Sequence, residues 1–143
     1  VTIGGSSVAY TKSASLDITR KAEAIFGISG TQSPYQIFLG ALAVTGKATF
    51  VMQDDTELTR YLTNTQPSLT FNFSTGSGAT ATQVAFTLTK GAYVTAAIER
   101  TTEHVEVTVD FTGIANTTDV GSTNGYSPIK FTLQNALASG TYQ

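Results

Sequence analysis

Thr45–Leu62 reads TGKATFVMQDDTELTRYL, and two periodicities meet inside it. Ala48, Phe50 and Met52 alternate with Lys47, Thr49 and Val51, the pattern of a strand with one apolar face. Leu58, Tyr61 and Leu62 then stand at the i, i+3, i+4 spacing of an amphipathic helix. Asp54 is placed to cap that helix, and Glu57 stands three residues on, where a capping-box partner belongs. The spacing predicts one short α-helix over about 54–63, with Leu58, Tyr61 and Leu62 buried against a sheet. No other stretch makes a comparable helical case.

Outward from this segment the chain is written in β periodicity. Ser13–Arg20 sets Ala14, Leu16 and Ile18 against Asp17 and Thr19, and Ser68–Ser74 puts Leu69, Phe71 and Phe73 on one face. Thr82–Thr89 does the same with Val84, Phe86 and Leu88, His104–Thr112 with Val105, Val107, Val109 and Phe111, and Ser127–Gln134 with Ile129, Phe131 and Leu133. Each is the mark of a half-buried antiparallel strand. Ala22–Ile28 and Ala92–Arg100 are further strands with less clean alternation. Turns fall at Gly76–Gly78, at Lys90-Gly91 and at Gly121–Gly125. The expected fold is mainly β: an antiparallel sandwich or barrel of about seven or eight strands with one short flanking helix.

Two connections exceed what hairpins require. Gly113–Tyr126 is polar and reads as a solvated loop. Ser29–Val44, SGTQSPYQIFLGALAV, carries Tyr35, Ile37, Phe38, Leu39 and Leu42, a heavy apolar load for a surface loop. Such a loop either folds back on its own domain or docks on another chain.

At 143 residues the chain is expected to form one domain, 1–143. It has no cysteine, which removes disulfides, thiolate nucleophiles and thiolate metal sites. The net charge is −2 and the charges are scattered, unlike the basic stripe of a dedicated nucleic-acid binder. No apolar run approaches the roughly 20 residues needed to span a bilayer. Few charges and abundant Thr, Ser, Gly and Ala make a hydrophilic surface that repels copies of itself weakly, which suits an assembling subunit. The chain opens on Val1 without a signal-peptide pattern, and is expected to be processed or part of something longer.

Chemistry-bearing constellations are thin. His104 is the sole histidine, alternating with Glu106 at the start of a strand, and a solvated strand-end residue explains it better than a general base or metal ligand. Asp54, Asp55 and Glu57 could hold a cation, but helix capping and the helix dipole account for the same residues. Neither Gly4-Gly5 nor Gly76–Gly78 sits between a strand and a helix as a phosphate cradle would. Asn116-Thr117-Thr118 fits a glycosylation acceptor only formally. Arg20, Lys21, Arg60, Arg100 and Lys130 are scattered, and could pair with Glu23, Glu99 or Asp110 of a neighbouring copy for about 0–1 kcal/mol each. Enzymatic function is not expected, and neither is a cofactor or metal.

The order of segments resembles a known family. SASLDITRKAEAIFGISGTQSPYQIFLGALAVTGKATFVMQDDTELTRYL (Ser13–Leu62) and YSPIKFTLQNALASGTY (Tyr126–Tyr142) resemble the tail tube, or major tail, proteins of long-tailed bacteriophages. The strongest points are Leu16–Arg20, the long loop before Val44, the Val-Thr-Gly-Lys strand and the Asp-Asp-Thr-Glu-Leu helix. The resemblance implies a β-sandwich flanked by one helix, located in the virion tail. It also implies a homo-oligomer, with hexameric rings stacked into a tube that joins other tail proteins and conducts DNA at ejection. No membrane is implicated. The loop before Val44 would reach the neighbouring ring, making Pro34, Tyr35, Ile37, Phe38 and Leu39 contact candidates. The polar face of the first hairpin, with Asp17, Thr19, Lys47 and Thr49, would line the channel. Many relatives carry an N-terminal arm or a further domain ahead of this region. A different class, an immunoglobulin-like module binding a glycan or receptor on a virion or cell surface, would use the apolar loop for recognition.

Overall fold

Residues 1–8, 10–28, 33–76, 81–120 and 125–135 are described in a computed structural model. The strands are β1 (Thr2–Ile3), β2 (Ser6–Ser7), β3 (Thr11–Ile25), β4 (Gln36–Val51), β5 (Leu69–Thr75), β6 (Thr82–Leu88), β7 (Gly91–Arg100), β8 (Val105–Gly113), β9 (Asn116–Val120), β10 (Tyr126–Ser127) and β11 (Lys130–Gln134). The helix, α1, spans Thr56–Leu62 between β4 and β5. One sheet runs β11-β6-β5-β1-β2, a second β3-β4-β8-β7, and β9 and β10 pair separately; every pairing is antiparallel.

The core lies between the first two sheets. Val44, Ala48, Phe50, Tyr93, Val107, Val109 and Phe111 from the four-stranded sheet meet Ile3, Leu69, Phe71 and Leu88 from the five-stranded one. Their alternation in sequence becomes one buried face, each large side chain contributing roughly 1.5–3 kcal/mol. Gly46 is required where β4 crosses this core. A Cβ there would lie 2.4 Å from Phe111 Cζ and 2.4 Å from the Ser15 carbonyl oxygen.

The helix begins differently from the sequence expectation. Asp55 is the N-cap and makes no side-chain cap bond, while Asp54 Oδ1 accepts the Thr56 N–H at 2.9 Å in a turn just ahead. The capping box is not made because Glu57 is engaged elsewhere: Arg60 Nη1 and the Tyr93 hydroxyl both donate to it. That triangle ties α1 to β7. Leu58 and Tyr61 are half-buried, whereas Leu62 is 72% exposed, contrary to the expectation that it is buried.

The expected strands at Ser13–Arg20 and Ala22–Ile28 are one strand, β3, and most of the expected Ser29–Val44 loop is the first half of β4. The polar Gly113–Tyr126 connection contains β9. There Asn116 and Asp119 supply the order that apolar alternation does not. The Thr89 N–H and hydroxyl donate to Asp119, Asn116 Nδ2 donates to Asp119 Oδ2, and Asn116 Oδ1 accepts the N–H groups of Thr118 and Asp119. Asn116 is buried within this network, so its amide is not presented as a glycosylation acceptor.

Candidate assembly surfaces

The four candidate lining residues fall on one face. Residues directly opposed in an antiparallel pair share a side, and Asp17 opposes Thr45, Thr19 opposes Ala43, Ser15 opposes Lys47 and Ser13 opposes Thr49. β8 continues the rows with Thr112, Asp110 and Thr108, and β7 with Ala92, Thr95 and Ala97. This is the side of the sheet turned away from the core, a lattice of Ser and Thr with few charges. Two of those charges meet within the sheet, Lys47 Nζ lying 4.0 Å from Asp110 Oδ1; Thr95 also donates to Asp110, and the Thr49 and Thr108 hydroxyls bond at 3.1 Å.

One end of the face carries a cluster that single-strand reading missed. Lys12 is the extra residue of a bulge between Thr11 and Ser13. It reaches across β4, so that Lys12 Nζ and His104 Nε2 each lie 2.7 Å from Glu106 Oε1. Hydrogen bonding from Lys12, and then from His104, holds the Glu106 carboxyl below the usual carboxylate range. His104 is therefore half-buried against a carboxylate. Among the described residues, no group of three or more acidic or histidine side chains could hold a metal ion. The Asp54–Glu57 cation reading fails locally, because Glu57 is occupied by Arg60 and Tyr93.

The five contact candidates sit on a projecting ribbon. The β4–β8 ladder stops at Thr45, so Gln36–Val44 pairs only with β3 among the described elements. The ribbon can extend roughly 30 Å. Ile37 and Leu39 are 58% and 59% exposed, and Pro34, Tyr35 and Phe38 are exposed with them. Ala22 opposes Leu39 and Ala24 opposes Ile37, while Glu23 opposes Phe38. Leu42 opposes Arg20, so the strand beyond it holds one extra residue, at Gly40–Ala41. That bulge reverses the alternation and brings Ile37 and Leu39 onto the same side as Leu42 and Val44, with Phe38 on the other. Arg20 Nε donates to the Gly40 carbonyl at 2.9 Å and braces the bulge.

The four-stranded sheet has two borders, β3 and β7, with no neighbour among the described elements. A long unpaired border is a template for another chain. Projecting apolar ribbon, polar face and open borders together describe a structural subunit. The chain belongs to the phage tail tube protein family, whose model matches residues 1–113. Its place is the tail of the virion, and the family implies assembly with copies of itself and with other tail proteins. No curated protein matches the chain.

Proposed function

We propose that this chain is the repeating subunit of a tail tube whose rings close through the four-stranded sheet and surround a channel for DNA. The observation that carries this reading is the polarity of the borders. In an all-antiparallel sheet of four strands, β3 and β7 run in opposite directions. Copies related by rotation about one axis therefore meet β7 against β3 in antiparallel pairing, and the closed ring has no edge. Six copies would give a perimeter of about 115 Å at the usual strand spacing, widened further by strand tilt.

The polar face then lines the channel. Asp17, Thr19, Lys47 and Thr49 supply hydroxyls and offset charges, which suits passage because every added cationic phosphate contact would raise affinity for DNA. The ribbon with Pro34, Tyr35, Ile37, Phe38 and Leu39 reaches the next ring, where covering its apolar sides favours stacking.

Size-exclusion chromatography and negative-stain microscopy of the purified chain test the proposal. Rings or tubes with a central hole are expected. A stable monomer that binds sugars would replace this reading with the recognition-module one.

A further inference from the structure

Both sheets continue their core-facing sides beyond the region where they cover each other. In the five-stranded sheet, Phe71, Phe86 and Phe131 form one cross-strand row and Phe73, Val84 and Leu133 the next. Phe71 is buried, but Phe73, Phe131 and Leu133 are exposed, in contrast to the buried face their alternation predicts. Across from them, on border strand β3, Leu16 and Ile18 share a side with core residue Val44. A cleft of about 270 Å³ opens between the two sheets here, with Leu16, Ile18, Phe71, Phe73 and Phe86 among its walls. The opposite border has a matching excess. Ile98 of β7 opposes core residue Val107 yet is half exposed, and Leu62 projects from the helix that is tied to the same strand.

We propose that the seam between two copies is closed in two layers, the backbone ladder and a shared apolar core. In it, Ile98 and Leu62 of one copy seal the cleft beside Ile18 and Phe73 of the next. The occupant is a second copy because this family assembles with itself, and because the cleft adjoins the border that antiparallel ring closure pairs with β7. The polar faces of both borders stay on the channel side of the same junction. Exposed apolar residues are thus left on the core-facing side of each border at this junction, Ile18 on β3 and Ile98 on β7, as a head-to-tail contact requires. This inference rests on the ring-closure reading above.

The chain has no cysteine, so cross-linking reports a single chosen pair. Ile98→Cys and Phe73→Cys full-length chains are mixed, assembled and treated with a short bismaleimide. A covalent dimer joining one variant to the other is expected in the tubes, and Phe73→Asp should abolish assembly while melting like the parent. The shared-core seam is overturned, and ring closure is untouched, if tubes form but the two cysteines do not link. The same holds if Ile98→Cys links instead to a Leu39→Cys chain, which would place the ribbon in that position. Failure of the parent chain to form rings or tubes would overturn both.

Discussion

Phe71 and Phe111 stack with ring centroids 5.8 Å apart and planes inclined by 25°, each supplied by a different sheet. They fasten the two layers at the centre of the core. Replacing Phe71 with alanine removes the ring and leaves a void that two packed sheets cannot easily close. The expected loss is about 3–5 kcal/mol, read from denaturant unfolding of the dispersed subunit. A near-neutral result would contradict the packing of the sheets.

Gly46 should tolerate no side chain. The added methyl of Gly46→Ala meets the Phe111 ring and the Ser15 carbonyl, and the carbonyl belongs to a paired strand that cannot swing aside. Destabilisation of about 1–3 kcal/mol or more is expected from such overpacking. Gly125→Ala, with nothing within 4 Å among the described residues, is the matched control and should stay within about 0.5 kcal/mol of the parent in the same melts.

Asp119 makes stability depend on acid. Burial works against its charge, yet hydrogen bonds from Asn116 and Thr89 outweigh that and hold the carboxyl below its ordinary range. A depressed carboxyl stabilises the fold above the unfolded-chain value, about 4, and this share is lost as pH falls through the folded value. Asp119→Asn should cost about 1–3 kcal/mol at neutral pH. It should also flatten part of the decline below about pH 4. An unchanged pH profile would remove Asp119 from the account.

The projecting ribbon should govern polymerisation and leave folding alone. Phe38→Asp and Leu39→Asp alter exposed positions on its two sides, so each variant should melt like the parent and fail to form tubes. A variant that still polymerised like the parent would withdraw its residue from the contact.

Channel chemistry can be tested by adding cations. Asp17→Lys with Thr49→Lys places new charge on the polar face, and the resulting tubes should retain DNA. That retention should weaken steeply with salt, as phosphate contacts do. Equal retention by parent and variant tubes at low salt would separate this face from the DNA path.

Much of the sheet was legible because burial there follows strict alternation: Ala48 and Phe50, or Val107, Val109 and Phe111, each became one core face. Gln36–Val44 was not, since the Gly40–Ala41 bulge breaks the period and leaves an apolar run resembling a loop. β9 was missed because its order comes from the Asn116–Asp119 network, which has no periodic trace. The polar face could be proposed from one hairpin, but Lys12, Glu106 and Asp110 joined it only through strand neighbours far away in sequence. Phe73 and Leu133 alternate like core residues and remain exposed because alternation says which side a residue takes, not whether another layer covers it.

Closure by rotation through the β3-β4-β8-β7 sheet, as proposed, has one more effect. Main-chain polarity never vetoes a ring size, since inserting or deleting one whole protomer leaves each joint chemically unaltered. In such a ring, circumference would be dictated by bending at the junctions. Substitutions there would reset bore diameter without rewriting the interior of any subunit.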